Sequence, residues 1–394
     1  MRKLTKTAAV VASMAVMAMG ATVMTSAAQE GWVQKGSDWY YYVNGNAVEN
    51  QWVLAGKDWY FLGDDGKMLT NAFINDNEEV EIDDSTDTYD FDATDEDDPY
   101  YFVDNDGKMV TGWKKIDYKK VGGITSPTDS TNWYYFGGSG NMLGDAWVMA
   151  DEKWYYICDN GIMVKNTYVD YDDDLYYLGK DGVMVSGWYK LTDDDETKSG
   201  KKWGDDRPEY TGNGLNNPES IGASGTWVFA DTDGELQTGW VKENSKWYYL
   251  GSVTTTSIVG TQEGRSEIGD YQMNEDTFIF DGSKYFYLKS NGALQTGWFK
   301  VDGKKYNAKS SGEIRRNDIT TVDGKNYFFE SDGTYQDDGY AVKYVLDGKT
   351  IKKVLDASSV STAEDEVNNE IKKAGVKYTI YKLGSSSTYS KTSK

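Results

Sequence analysis

The sequence predicts an all-β fold, a β-solenoid of stacked aromatic β-hairpin repeats with a small α+β unit at its C-terminal end. Aromatic residues make up 14% of the 394 residues, with 31 Tyr and 14 Trp. Pairs of Trp recur along most of the chain, and Gly-containing turns with Asp, Asn or Lys follow the aromatic runs. Because aromatic side chains bury a large area each, stacked hairpins can form a core with few aliphatic residues.

The repeat is about twenty residues long and consists of strand, turn, strand and turn. A short strand carries a first Trp, and a second strand carries a run of three aromatic residues. In four copies the two Trp are seven residues apart: Trp32 and Trp39, Trp52 and Trp59, Trp147 and Trp154, Trp240 and Trp247. Weaker copies begin at Phe73, Trp113, Tyr168, Trp188, Phe278, Trp298 and Ile319. A lone hairpin is not stable in water, so the copies must stack on one another. Residues 29–336 are therefore predicted to form the solenoid.

Other segments of the chain differ from the repeat. Residues 1–28 combine basic residues, an apolar run and small residues before position 29, which predicts a cleaved signal peptide. Insertions are expected near residues 75–98, 192–224 and 252–276. Residues 337–384 are predicted to form the α+β unit, with a helix over 362–374 that Ser361 and Glu364 cap. Residues 385–394 are predicted to be a disordered tail, and no membrane span is expected in the mature chain.

The composition excludes several kinds of chemistry. The chain has no His and one Cys, Cys158, so His-dependent hydrolysis, His-ligated zinc and an internal disulfide are ruled out. The formal charge of −23 disfavours nucleic acid and anionic lipid as partners. Carboxylates abound, but mostly in turns and in an acidic insertion whose run Asp95 to Asp98 is expected to be solvated rather than a weak calcium site. We therefore expect no enzyme activity, no catalytic residue, no metal and no cofactor.

The repeat resembles the choline-binding and cell-wall-binding repeats of Gram-positive surface proteins over about three quarters of the chain. The shared pattern is Gly-Trp, then Trp-Tyr-Tyr, then Asp-Gly with Met and Thr-Gly-Trp, as at Met109 to Trp113. It is also similar to the glucan-binding repeats of glucosyltransferases and clostridial toxins. The resemblance implies a solenoid that holds ligands between successive hairpins, with a choline headgroup between two Trp of one repeat and an aromatic residue of the next. An aromatic face attracts a quaternary ammonium by about 0.5–2 kcal/mol per contact.

The resemblance implies candidate aromatic cages at matching positions. The best matched is Trp147, Trp154 and Tyr177, because no insertion interrupts it. The others are Trp32, Trp39 and Phe61; Trp52, Trp59 and Phe102; Trp113, Trp133 and Tyr156; and Trp240, Trp247 and Tyr287. Middle residues of the runs, such as Tyr155, are expected to serve packing. Repeats with Leu175, Lys305 or Asn326 at the second Trp position are not expected to form a full cage.

Three functions follow from this pattern. The first is noncovalent binding of a cell-wall polymer, choline-bearing teichoic acid or a wall polysaccharide, on the surface of a Gram-positive bacterium that secretes the protein. The loops or the tail would then face outward, toward a host or cell-surface protein as a second partner. The alternatives are a glucan-binding adhesin and a structural spacer in which every aromatic residue only packs against its neighbours.

Overall fold

The computed structural model describes residues 30–75, 78–79, 93–95, 98–117, 131–172, 174–192, 225–251, 254–256, 263–265, 271–282 and 284–394. The predicted signal peptide, most of the acidic insertion and nearly all of the insertion at 192–224 lie outside these residues. The solenoid consists mainly of antiparallel hairpins that follow one another along the chain. This arrangement confirms the predicted fold class.

The strands of the solenoid are short. The first are β1 (Gly31–Lys35), β2 (Asp38–Val43), β3 (Asn46–Ala47), β4 (Gln51–Ala55), β5 (Asp58–Leu62), β6 (Ala72–Asn75), β7 (Glu78–Glu79), β8 (Tyr101–Val103), β9 (Gly112–Asp117), β10 (Thr131–Phe136), β11 (Ala146–Ala150), β12 (Lys153–Ile157), β13 (Thr167–Tyr171) and β14 (Asp174–Leu178). They continue with β15 (Gly187–Lys190), β16 (Trp227–Ala230), β17 (Gly239–Glu243), β18 (Lys246–Leu250), β19 (Thr254–Thr256), β20 (Glu263–Arg265), β21 (Thr277–Asp281), β22 (Lys284–Leu288), β23 (Gly297–Val301), β24 (Lys304–Ala308), β25 (Asp318–Val322), β26 (Lys325–Phe329) and β27 (Tyr335–Gln336).

The hairpins share one register. The first aromatic residue of a hairpin lies opposite the last residue of its aromatic run, as Trp32 lies opposite Tyr41 and Trp240 opposite Tyr249. Side chains alternate along a strand, so the middle residue of each run points to the other face of the hairpin. Each hairpin therefore presents aromatic side chains on both faces and can stack on a neighbour at either one.

Backbone hydrogen bonds join successive hairpins. After the second turn of each repeat, a short segment pairs with its own hairpin and with the preceding one. The Met184 N–H donates to the carbonyl of Trp154 (2.8 Å), and the next N–H, of Val185, donates to the carbonyl of Tyr177 (2.8 Å). The same bonds recur at Met68, which donates to Trp39 (2.7 Å), and at Leu294, which donates to Trp247 (2.8 Å). One segment per repeat thus ties two hairpins together.

A row of methionine–glycine contacts, which we call the methionine spine, runs through the same segments. A Cβ placed on Gly182 would lie 2.6 Å from Cε of Met163 in the preceding repeat, so only glycine fits beside that side chain. Gly182 also has φ +78°, the left-handed conformation that its Asp-Gly turn requires. The spine joins Met68 to Gly107, Met109 to Gly140, Met142 to Gly161, Met163 to Gly182, Met184 to Gly234, Met273 to Gly292, Leu294 to Gly312 and Ile314 to Gly333.

Replacing Gly182 with alanine tests the spine. We expect Gly182→Ala to lower the free energy of unfolding by about 1–3 kcal/mol more than Gly303→Ala, because only the first forces Met163 to move. Gly303 is the matched control, since its φ is +77° and a Cβ there would meet nothing within 4 Å. Urea unfolding of both variants measures the difference. Equal losses would show that only the turn conformation matters.

The third predicted insertion, at 252–276, contains strands rather than only loop. Strands β19 and β20 pair with each other, and β19 extends the β21–β22 hairpin through the pair Thr254 and Phe280. The result is a four-stranded sheet in the order β20-β19-β21-β22. The chain between Leu250 and Met273 therefore adds the two strands β19 and β20 to the β21–β22 hairpin, which itself keeps the form of the other hairpins.

The C-terminal unit contains β28 (Tyr340–Leu346), β29 (Lys349–Leu355), α1 (Val360–Ile371), β30 (Lys377–Lys382) and β31 (Thr388–Thr392), with sheet order β29-β28-β30-β31. Helix α1 packs Ala363, Val367 and Ile371 against the sheet. No other helix occurs in the described part of the chain, and none there is long and apolar enough to cross a membrane.

Three sequence predictions for the C-terminal end of the chain are wrong. The N-cap of α1 is Ser359, not Ser361, and it forms a capping box with Thr362. The helix ends at Lys372, which adopts the left-handed conformation, before the predicted end near Gly375. The tail at 385–394 is ordered, since β31 pairs with β30 along five residue pairs. The segment contains Thr, Tyr and Ser residues, which suit an edge strand, and the prediction of a disordered tail overlooked them.

The last hairpin docks directly onto the C-terminal unit. Ile319 and Phe328 pack against Ala341 and Leu383 in one buried cluster. Asn326, which takes the place of the second Trp, is 1% exposed, and its side-chain amide donates to the carbonyls of Lys382 (3.3 Å) and Ser387 (3.0 Å). The C-terminal unit thus covers the face on which another hairpin would otherwise stack.

Candidate ligand-binding cages

Three aromatic side chains meet at the junction between the first two hairpins. Trp32 and Trp39 of one hairpin are nearly perpendicular, at 88°, with ring centroids 6.4 Å apart. Tyr60 of the next hairpin lies 5.0 Å from Trp32. Their positions define a cage: the first Trp, the second Trp and the middle aromatic residue of the following hairpin.

The same geometry recurs at two further junctions. Trp113 lies 6.3 Å from Trp133 at 85°, and 5.0 Å from Tyr155. At the third junction, Trp240 lies 6.4 Å from Trp247 at 88° and 4.9 Å from Phe286. The second Trp of each cage is about two-fifths exposed, from 39% at Trp39 and Trp133 to 42% at Trp247. Each cage therefore opens to solvent beside an aromatic face.

The third wall assigned from the sequence is wrong by one residue in every cage. The assigned residues, Phe61, Phe102, Tyr156, Tyr177 and Tyr287, lie on the same face of their hairpin as its own first aromatic residue. Successive hairpins stack in the same sense, so the face turned back toward the preceding hairpin is the opposite one. That face carries the middle residues of the runs: Tyr60, Tyr101, Tyr155, Tyr176 and Phe286.

The misassigned residues form the packing beneath the cages. Phe61 packs 5.2 Å from Trp52, and Tyr156 packs 5.1 Å from Trp147, each within its own hairpin. Phe102 lies 4.8 Å from Phe73 and Tyr287 lies 4.8 Å from Phe278. Tyr177 is fully buried and lies 5.3 Å from Tyr189. These side chains support the cage walls from behind.

The cage at Trp147 is more enclosed than its sequence suggests. Tyr176 supplies its third wall at 5.0 Å, and Tyr171 of the same following hairpin lies 6.2 Å from Trp147 at right angles. The Nε1 atom of Trp147 is buried and has no hydrogen-bond partner, and burial raises the pKa of Tyr176. The cage at Trp52 and Trp59 also has a buried third wall, Tyr101, 5.4 Å from Trp52.

A sixth cage consists of Trp188, Trp227 and Tyr248, and the sequence analysis missed it. Tyr248 lies 4.8 Å from Trp188, and Trp227 is 38% exposed. The pairing of Lys190 with Trp227 gives Trp227 the place of the second Trp. The insertion at 192–224 separates the two Trp in the chain, so their usual spacing is lost. The signal that remains is the motif Trp227 to Phe229 followed by Asp-Gly.

The Asp281 carboxylate places negative charge at the edge of the Trp240 cage. The indole N–H of Trp240 donates to the Asp281 carboxylate of the next hairpin (3.0 Å). Burial raises the pKa of Tyr249, which packs 5.2 Å from Trp240, and the Asp281 carboxylate adds to the shift. A carboxylate beside electron-rich rings favours a cation in the opening.

Two C-terminal junctions contain cations of the chain itself. At the second Trp position of β22, Tyr285 has the Arg316 guanidinium 3.9 Å from its ring centroid. At the next junction Lys305 replaces the Trp, and its Nζ lies 5.6 Å from the ring centroid of Tyr335. Lys305 also lies near the Asp337 carboxylate (3.9 Å). As the sequence suggested for Lys305, this junction has no full cage.

Comparison with known proteins identifies the repeat. The family described as "Putative cell wall binding repeat" matches residues 50–68, 128–142, 145–163, 238–252, 276–294 and 296–314. These six segments match the cell wall binding repeat. Five of the six matched segments contain at least one wall of a cage described above. None of the curated proteins compared with the chain is a significant match.

Solved structures that match this chain include three proteins of Streptococcus pneumoniae. CbpJ is 22% identical, and the match covers 77% of this chain and 99% of CbpJ with a TM-score of 0.34. Choline binding protein F, with a peptidoglycan analogue, is 22% identical over 79% of this chain and all of that chain, with a TM-score of 0.33. The choline-binding domain of CbpL is 20% identical over 78% and 97%, with a TM-score of 0.26. Since all three TM-scores are low, the cell wall binding repeats are identified by the family match.

Proposed function

We propose that this protein binds a cell-wall polymer noncovalently, by holding choline ammonium groups in the aromatic cages between successive hairpins. The observation that carries the proposal is the recurrence of one cage geometry at the Trp32, Trp113 and Trp240 junctions. Packing alone does not require each second Trp to keep about two-fifths of its surface exposed. A quaternary ammonium donates no hydrogen bond, and perpendicular aromatic faces attract it from several sides.

The charge of the chain supports the proposal as well as the geometry of the cages. The net charge of −23 attracts cationic groups on a polymer. Under this proposal the protein is secreted and lies on the wall of a Gram-positive bacterium. The C-terminal unit, which contains none of the cages described above, would face host or cell-surface proteins.

Elution from a quaternary-amine resin tests the ligand. We expect the mature protein to be retained by the resin and eluted by free choline, because choline competes for the same cages. Dimethylbutanol, the neutral carbon isostere of choline, should elute little protein because it lacks the charge that the rings attract. Soluble glucan is the second competitor. Elution by glucan alone would support the adhesin. Because the charge of −23 by itself retains the protein on the resin, elution by choline chloride no better than by equimolar sodium chloride would support the spacer.

A further inference from the structure

The cages differ in the residue that faces the second Trp across the hairpin. That residue lies on the face of the hairpin that carries both Trp, two positions after the first. It is a lysine in three cages, where Lys115 faces Trp133, Lys190 faces Trp227 and Lys242 faces Trp247. It is uncharged in the other three, where Gln34 faces Trp39, Leu54 faces Trp59 and Met149 faces Trp154.

The lysines are free to meet a ligand. Lys242 extends its Nζ to 5.6 Å from the ring centroid of Trp247, at the opening of the cage. Lys115 and Lys190 have the same register, with side chains that start about 5 Å from the second Trp. Within the described residues, none of these three lysines forms an ion pair with a carboxylate. None of the three lysines therefore has a carboxylate partner among the described residues, and the Asp281 carboxylate at the edge of the Trp240 cage is bonded to the Trp240 indole.

A cation at the rim conflicts with a ligand that is only a cation. The lysine ammonium would repel choline and compete for the Trp face. The conflict disappears when the ligand carries an anion next to its ammonium. Choline joined to a polymer through its hydroxyl by a phosphate ester is such a ligand, because the phosphate follows the ammonium after two carbons and an ester oxygen.

We propose that Lys115, Lys190 and Lys242 bind the phosphate of choline carried on a phosphodiester, while the neighbouring cage holds its ammonium. This assignment rests on the proposed choline binding and specifies the ligand as a zwitterion at three cages. Lysine acts there as a point charge for phosphate. The cages with Gln34, Leu54 and Met149 hold the ammonium alone.

Titration of the full mature chain with choline and glycerophosphocholine tests the proposal. The variant Lys115→Gln, Lys190→Gln, Lys242→Gln is expected to lose about two- to fivefold in affinity for glycerophosphocholine at these cages, the range for an exposed ion pair. Its affinity for choline should stay unchanged or rise. The converse variant, Gln34→Lys, Leu54→Lys, Met149→Lys, should gain affinity for glycerophosphocholine. Phosphocholine is the monoester probe, and a change confined to it would overturn the assignment to a phosphodiester.

The matched control removes three lysines that face no cage. Lys114 lies on β9 next to Trp113 and points to the opposite face by alternation, and Lys343 and Lys377 are exposed on strands of the C-terminal unit. Lys114→Gln, Lys343→Gln, Lys377→Gln makes the same change in net charge and should leave the ratio of the two affinities unchanged. Equal ratios in both triple variants would overturn the role of the rim lysines. Absence of saturable choline binding by the wild type would instead refute the proposed function itself.

Two materials share the choline phosphodiester, and sedimentation distinguishes them. We expect the protein to sediment with purified choline-bearing cell walls. It should remain in solution with vesicles of phosphatidylcholine, because the cages lie in recesses between hairpins that a flat headgroup layer does not enter. Sedimentation with the vesicles alone would overturn the assignment to a wall polymer.

Discussion

Replacing Tyr156 with alanine should lower the free energy of unfolding of the surrounding repeats by about 3–5 kcal/mol, the usual effect of deleting a buried aromatic ring. Tyr156 is 1% exposed, packs 5.1 Å from Trp147 and lies in a cluster with Val164, Val169 and Leu178. Its neighbour Tyr155 should behave in the opposite way. Tyr155→Ala should remove choline binding at the Trp113 cage, whose third wall it forms, at a much smaller cost in stability.

Thermal unfolding and choline titration of the two variants measure this contrast. Tyr155→Phe is the control, because it keeps the ring that faces the ligand and should bind as the wild type does. The expected result reverses the role that the sequence suggested for Tyr155, which was packing. If both alanine variants lose the same stability and neither loses binding, then Tyr155 belongs to the scaffold and the cages are only packing.

Replacing Asn326 with alanine should detach the C-terminal unit from the solenoid. The substitution removes two amide hydrogen bonds across a buried junction, to the carbonyls of Lys382 and Ser387, at a cost of about 1–3 kcal/mol. It also leaves the Thr321 hydroxyl without its acceptor, the Asn326 Oδ1 atom (2.7 Å). We expect faster proteolysis between the last hairpin and β28, and a separate melting transition for the C-terminal unit.

Two further variants sharpen the junction test. Asn369→Ala, on an exposed position of α1, should change the free energy of unfolding by less than about 0.5 kcal/mol. Asn326→Trp restores the residue that complete repeats carry at this position, yet it should also separate the unit, because an indole cannot replace the two amide bonds. A wild-type proteolysis pattern in Asn326→Ala would show that the apolar cluster and the backbone hydrogen bonds of residue 326 to Gly384 and Ser385 hold the junction without the side-chain amide.

The hairpins and their order could be predicted from the sequence because the signal is local. Aromatic spacing and Asp-Gly turns act within about twenty residues, and stacking repeats them. The two Trp of each predicted cage also come from one hairpin, so the structure places them as expected at Trp32 and Trp39. What one hairpin shows to the next depends on the sense of stacking, and no residue pattern within a hairpin specifies that sense.

The remaining errors come from long-range contacts. Trp188 and Trp227 join one cage across a long insertion, where spacing no longer indicates a pair. In the sequence, Asn326 looks like a simple loss of the second Trp. Its role follows only from its contacts with the end of β30 and the loop after it. Strand β31 is polar, and its pairing with β30 decides that it is ordered. Each outcome depends on a partner that is distant in the chain.

The methionine spine makes the two ends of the solenoid differ in their sensitivity to oxidation. Thioethers occupy six of its contacts, from Met68 to Met273, whereas Leu294 and Ile314 occupy the last two. Oxidation turns a methionine into a polar sulfoxide, which does not fit against the next glycine. An extracellular oxidant would therefore loosen the junctions that hold these six contacts, which include those with the cages at Trp52, Trp113, Trp147 and Trp240. The two junctions before the C-terminal unit contain no sulfur and would keep that unit attached to a folded base.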